Sequence, residues 1–356
     1  MTTTIATALA LAAAAACLAS TGTALAAGPT TQFVVDGGVA TPGSDDLARL
    51  QTLPQSTQTD TFTSNGAPQT HTYTGTRMWD VLNDAGIVVD PSVKNDVLNK
   101  LVVATGSDGY KSVFSLGELS PSFGNRASLV ATSETVGGTT AALGADGFAR
   151  ATAPGDSKGG RYVSNLAELT VRSSGSTQGA ATGLPTTSFA VRGAVDHAGT
   201  FDLADLEALP SVTRTVGSDT YTGISLWSLL DTTTGLDTDP AIKNDVLGMY
   251  VVATGSDGYK AVFSMGELDA DFGAEPDMIA FEDNGAPLTG NGFARIVVPD
   301  DVKAGRWVSN LVSLEVFDVN AVPEPANAVL VLLGLAALGV AARRQLPASI
   351  RTRARP

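Results

Sequence analysis

Ten residues from Val102 to Lys111 recur without change from Val251 to Lys260, and this internal repeat constrains the chain more than any other feature. Self-similarity on that scale makes each copy one structural unit, so the fold must be buildable twice from the same element order. The agreement extends outward on both sides. Lys94-Asn95-Asp96-Val97-Leu98 returns as Lys243-Asn244-Asp245-Val246-Leu247, and Gly147-Phe148-Ala149-Arg150 returns as Gly292-Phe293-Ala294-Arg295. Gly160-Arg161-Tyr162-Val163-Ser164-Asn165-Leu166 is answered by Gly305-Arg306-Trp307-Val308-Ser309-Asn310-Leu311. The first unit spans residues 31–172 and the second 187–318, and the Ser/Gly/Thr-rich segment 173–186 between them has linker composition. Units joined in this way are expected to fold separately.

Periodicity gives the order within a unit. Phe33 to Val39 alternates as a strand, matched by Phe189 to Val195, and residues 45–53 and 203–209 read as short helical segments ending at Pro54 and Pro210. Thr-rich strands follow. Met78-Trp79-Asp80-Val81-Leu82 and Leu226-Trp227-Ser228-Leu229-Leu230 then place apolar residues three and four apart, which sets a helix against the core. Leu101 to Ala104 and Lys111 to Phe114 are two strands joined by the turn Gly106-Ser107-Asp108-Gly109. A last pair at 149–153 and 166–171, repeated at 294–298 and 311–317, closes the unit. The expected class is α+β with strands dominant.

The two ends carry export signals. Residues 1–27 read as a signal peptide: an Ala/Leu-rich stretch from Ile5 to Ser20, then Thr23-Ala24-Leu25-Ala26-Ala27, the small-x-small pattern that signal peptidase accepts. The preceding Met1-Thr2-Thr3-Thr4 supplies no Lys or Arg. The single cysteine, Cys17, lies inside this segment, so the mature part has no thiol for a disulfide, a thiolate metal site or redox chemistry. A lipoprotein signal at Cys17 is the alternative, opposed by the apolar core that continues past it. In residues 322–356, Val322-Pro323-Glu324-Pro325 precedes an uncharged apolar run over 326–342 and then Arg343, Arg344, Arg351, Arg353 and Arg355. The run is at the short limit for a membrane span, and the arginines would stay cytoplasmic. This order resembles the PEP-CTERM sorting tail, with Pro323, Glu324 and Pro325 matching its motif. The resemblance implies an exosortase-type processing enzyme and transient anchoring in the inner membrane of a Gram-negative bacterium that makes exopolysaccharide. The final location is then the periplasm, the envelope or the extracellular space. A plain C-terminal anchor would give the same topology.

Acidic residues outnumber basic ones by 36 to 22, a net charge of −14 that repels phosphate backbones and excludes nucleic acid as a partner.

Several segments of each unit resemble the molybdopterin-binding domain of the sulfite oxidase family. In the second copy they are Phe189-x-Val191-x-Gly193-x-Val195, Leu203 to Pro210, Tyr221-Thr222-Gly223-Ile224-Ser225-Leu226, Asp257-Gly258-Tyr259, Asn284-Gly285-x-Pro287-Leu288 and Gly292-x-x-Arg295-Ile296-Val297-Val298-Pro299. The resemblance covers nearly the whole of each unit, although the first copy reads Val136-Gly137-Gly138-Thr139-Thr140 near the Asn-Gly-x-Pro-Leu element. It implies a molybdopterin cofactor with a cysteine thiolate on the metal, in the strand before the Tyr-x-Gly turn. That stretch is Thr59-Asp60-Thr61-Phe62-Thr63 here, and Val212-Thr213-Arg214-Thr215-Val216 in the second copy. A hydroxyl is a poor substitute for a soft anionic thiolate. The family's pterin-holding lysine falls on Ser164 and Ser309, a second departure.

What remains is a candidate ligand pocket. Arg150 and Arg295 match the family arginine, while Arg161, Arg306, Lys111 and Lys260 could hold an anion. Asp108, Asp257, Tyr110 and Tyr259 complete the candidate set. The same cations could instead be solvated charges pairing with nearby acids. The Gly-Ser-Asp-Gly turns fail the spacing of a calcium loop, and His71 and His197 lack partners for a zinc site or a triad and read as surface residues. Trp79, Trp227 and Trp307 suit either a cleft or a core. No catalytic residue, metal ligand or cofactor is expected. The functional expectation is an exported protein with two non-catalytic modules binding a small anionic ligand or exopolysaccharide. An oxidoreductase retaining molybdopterin without the cysteine is the first alternative, and a structural spacer the second.

Overall fold

The computed structural model describes residues 29–180, 185–288 and 290–321. The signal-peptide and sorting-tail expectations lie outside the described residues. No helix among the described residues is long and apolar enough to cross a membrane.

The first unit contains the strands β1 (Gln32–Gly37), β2 (Gly43–Asp46), β3 (Gln55–Ser64), β4 (Ala67–Arg77), β5 (Lys100–Gly106), β6 (Lys111–Ser115), β7 (Leu129–Val136), β8 (Thr139–Ala142), β9 (Arg150–Ala151) and β10 (Leu166–Ser173). Its short helices are α1 (Leu47–Leu50), α2 (Met78–Asp84) and α3 (Leu116–Leu119). The second unit repeats the plan with β11 (Ser188–Gly193), β12 (Gly199–Asp202), β13 (Ser211–Val216), β14 (Asp219–Ser225), β15 (Met249–Gly255), β16 (Lys260–Ser264), β17 (Met278–Asp283), β18 (Ala286–Pro287), β19 (Arg295–Val297) and β20 (Leu311–Asp318). Its helices are α4 (Leu203–Glu207), α5 (Leu226–Ser228) and α6 (Met265–Leu268).

Each unit holds two sheets. In the first they run β2-β1-β10-β5-β6 and β3-β4-β7-β8, with β9 also on β7, and the second unit has the same orders. All pairings are antiparallel except β1 with β10 and β11 with β20. Alternation explains the inner faces: Phe33 and Val35 of β1 are 1% and 2% exposed while Gln32 and Val34 face outward. They meet Tyr73 of β4, Val130 of β7 and Leu82 of α2 in one core. The strand-rich class expected from the sequence is the one observed.

Strand β5 is buried almost throughout and shows no alternation. Val102 and Ala104 face the core of their own unit. Leu101 and Val103 turn the other way and join Val113 of β6 with Tyr250, Val252 and Val262 of the second unit in another core. Burial on both faces of a sheet produces a continuous apolar run, as in Leu101-Val102-Val103-Ala104. The expectation of separate folding is therefore corrected: the two units share a core. Ser174 is 1% exposed, and its carbonyl accepts a hydrogen bond of 2.9 Å from the Tyr250 hydroxyl.

Candidate functional site

The seam between the units is built from α3 and α6, which the repeat makes equivalent. Each is a four-residue helix closed by a capping box: Ser115 with Glu118, and Ser264 with Glu267. Each capping serine also reaches across. The Ser115 hydroxyl donates to Glu267 at 3.2 Å, and the Ser264 hydroxyl donates to Glu118 at 3.0 Å. Behind each glutamate stands an arginine of its own unit. Arg161 donates to Glu118 at 2.9 Å and forks onto Asp156 at 2.8 and 2.7 Å, and Arg306 donates to Glu267 at 2.8 Å and to Asp301 at 2.6 Å. Arg126 of the first unit pairs with Glu275 of the second.

Arg161 and Arg306 are 0% and 2% exposed. Burial alone would lower their guanidinium pKa, but the facing carboxylates more than reverse this and hold both above the ordinary value. These two candidates are consequently members of interior ion pairs rather than solvent-facing charges. Lys111 donates across the seam to the Val319 carbonyl at 3.4 Å. Arg150 pairs with Asp146 at 2.8 Å, donates to the Tyr73 hydroxyl at 3.2 Å, and lies over the Tyr73 and Tyr162 rings. Its counterpart Arg295 stacks 5.0 Å over Trp307 and forms no ion pair among the described residues. Burial lowers its pKa. Lys260 is half-buried at the start of β16.

The turn residues, by contrast, come together in twin grooves. The Asp108 carboxylate accepts from the Tyr110 N–H at 3.0 Å, and Gly109 takes φ +85°, so this is a side-chain-closed turn of the plain kind. The Tyr110 hydroxyl donates to the Gly160 carbonyl at 2.7 Å and accepts from the Asn244 amide of the other unit at 3.0 Å. Tyr259 repeats this with Gly305 at 2.6 Å and Asn95 at 2.9 Å. Burial raises the pKa of both phenols. Lys243 lies 6.0 Å over the Tyr110 ring, and Lys94 6.0 Å over that of Tyr259. Each groove therefore needs both units. One consists of cavities of about 680 and 320 Å³ that meet at Lys94, Asn95, Ala304 and Gly305. Its mate consists of cavities of about 390 and 180 Å³ that meet at Gly159, Gly160, Lys243 and Asn244. Among the described residues, no three His, Cys, Asp or Glu side chains are placed to hold a metal ion.

Residues 321–345 match the PEP-CTERM protein-sorting motif. This marks the chain as an exported, envelope-sorted protein processed by an exosortase. No curated protein matches the chain. Among solved structures, the sulfane dehydrogenase SoxCD from Paracoccus pantotrophus is similar over 82% of this chain and 78% of that chain, at 13% identity and a TM-score of 0.33. At that score the likeness bears on neither the fold nor the chemistry of this chain.

Asp108, Tyr110, Asp257 and Tyr259 from the sequence-derived set thus line the grooves, while Arg150, Arg295, Lys111 and Lys260 do not. Sequence reasoning missed Lys94, Asn95, Lys243 and Asn244. Their signal was present in the repeated Lys-Asn-Asp-Val-Leu segment, where the asparagines adopt φ +53°, but only packing shows that each faces the opposite copy. His71, read as a surface residue, is instead half-buried between Phe62 and Tyr73 and bonded to Glu134.

Proposed function

We propose that this exported chain is a non-catalytic binding protein of the envelope, in which two molybdopterin-domain-like units form one body with ligand grooves at its seam. The observation that carries the reading is that each groove takes its tyrosine from one unit and its lysine and asparagine from the other. A plain spacer would have no use for composite concavities of this size.

The donor set speaks against a retained molybdenum-pterin group. Thr59 and Thr61 lie on the outer face of β3, and their hydroxyls bond across to Thr72 and Thr70 at 2.9 Å each. They offer neither a soft donor nor a concave setting. The corresponding β13 presents Val212 to Val216, again without sulfur. Of the cations near by, Arg161 and Arg306 are consumed in the seam and Arg150 by Asp146. The residues present do not fit the cofactor.

Elemental analysis of protein purified from its native host tests the reading. Less than a few percent occupancy by molybdenum is expected, and no oxoanion turnover with an artificial electron acceptor; a stoichiometric metal would sink it.

A further inference from the structure

The two grooves have diverged in charge although the repeat relates them. In the smaller one, Lys158 pairs with Asp271 at 2.6 Å, and Asp269 lines the same wall. The matching hydrogen bonds Phe123 N–H to Ser120 and Phe272 N–H to Asp269 make Ser120 the counterpart of Asp269, and hence Ser122 that of Asp271. The larger groove has therefore exchanged both carboxylates for hydroxyls. Its wider cavity is lined by Lys94 and Lys303 and by no acidic residue, and the one carboxylate of its narrower cavity is Asp257. The lysines that form ion pairs among the described residues are Lys100 and Lys158, so neither Lys94 nor Lys303 is tied to a carboxylate there. On a chain of net charge −14 this is a local reversal of sign.

The wall is also apolar in a way its mate is not. Trp79, Phe123 and Val89 face the cavity, and Val89 is 44% exposed. Val88 and Val302 beside it are 50% and 61% exposed. The bridges Val39 with Ile87 and Val195 with Leu236 set the register of this loop, and Asp237 stands where the first unit has Val88. Neutral hydrogen-bonding groups, Asn83, Asn95, Ser120 and Ser122, are interleaved with the apolar ones. An apolar ring face, several hydroxyl partners and two point charges for an anion describe the complement of one kind of molecule.

We infer that the larger groove binds an acidic sugar unit, a pyranose ring bearing a carboxylate, with Trp79 against the ring and Lys94 and Lys303 on the carboxylate. The inference rests on the binding role proposed above and gives that role its ligand class. The source is either a free uronate or a unit within an acidic polysaccharide chain.

Isothermal titration of the mature chain at low ionic strength tests this, with tri-galacturonate, monomeric galacturonate, neutral galactotriose and inorganic phosphate as ligands. Tri-galacturonate is expected to bind one site per chain. Lys303→Glu and Ser122→Asp should each weaken it by about tenfold or more, the second by placing a carboxylate where Asp271 meets Lys158 in the mate. Lys158→Glu should leave it unchanged. A monomer that binds as tightly as the trimer identifies a free sugar as the ligand, and a weaker monomer identifies a polymer; both support the site. Thermal unfolding unchanged in Lys303→Glu separates lost binding from lost folding, and the exposed Ser122 position gives a second variant. The inference is overturned if no uronate binds, if galactotriose or phosphate binds equally well, or if Lys303→Glu binds like the unaltered chain. Such a failure in molybdenum-free native protein removes only the sugar, whereas stoichiometric molybdenum removes the binding role itself.

Discussion

Two buried acids at the seam carry the clearest residue-scale consequence. Burial pushes the Glu267 carboxyl up to about 7, opposed by Arg306 and reinforced by Glu118. Asp277, 2% exposed with neither carboxylate oxygen hydrogen-bonded, is also raised well above its ordinary value by burial, against the pull of Arg306. In the unfolded chain such a glutamate titrates near 4.5. Between that value and 7 the folded chain holds a proton that the unfolded chain has released, so stability falls as pH rises through this window. Urea denaturation should therefore give a higher midpoint near pH 5.5 than near pH 8, and Glu267→Gln should flatten the difference; an unchanged slope would contradict the assignment. Arg161 makes the opposite kind of contribution. Arg161→Leu leaves Asp156 and Glu118 buried without their cation, and a loss of about 3–5 kcal/mol is expected in the same measurement.

At the scale of elements, the seam depends on close approach by the short 3-10 turns at Gly159–Arg161 and Ala304–Arg306. A Cβ at Gly305 would stand 2.0 Å from the Phe123 ring, and one at Gly160 would stand 2.4 Å from the Phe272 ring. The backbone that carries those rings is tied down, since Phe272 accepts from the Ser157 N–H and Phe123 from the Val302 N–H at 2.9 Å each through their carbonyls. Gly305→Ala should therefore cost about 1–3 kcal/mol, read as a lowered denaturation midpoint, although the position is only half-buried. The units are less alike in their hairpins. β3 and β4 run 10 and 11 residues where β13 and β14 run 6 and 7. The longer hairpin brings Thr63, Ser64 and Asn65 over the smaller groove, and no residue of β13 or β14 lines the larger one. In the second unit a π turn at Leu229–Thr233 replaces the end of the regular helix, a wider turn that accommodates an extra residue.

The whole molecule behaves as a covalent dimer of unequal halves. Leu101, Val103 and Val113 would be bared if the first unit were produced alone, so neither half is expected to remain a soluble monomer. Charge decides how the halves choose partners. A pair of first units would set Arg126 against Arg126, and a pair of second units Glu275 against Glu275, whereas the native seam joins Arg126 to Glu275. Mixed in solution, the separate units should form a one-to-one complex in preference to either homodimer. Size-exclusion chromatography with light scattering checks this, and two stable independent monomers would refute the shared core. The intact chain should accordingly unfold in one cooperative transition.

The sequence by itself determined the repeat, the strand-rich class and the turns, because these follow from local periodicity and backbone chemistry that each copy states twice, but it left β2, β7, β8 and the seam helix α3 unread. Asp108 and Tyr110 were legible as site candidates for the same reason: their roles begin with a turn. The sequence could not separate Arg161 from Arg150, since an arginine poised for a ligand and one locked between buried carboxylates look identical in one dimension. Nor could it show that Lys94 and Asn95 face Tyr259, residues more than 160 positions along the chain. Tertiary structure decided those matters. The apolar run in β5 was consistent with any doubly covered strand, and only the packing of one copy on the other supplied the second cover, and with it the grooves.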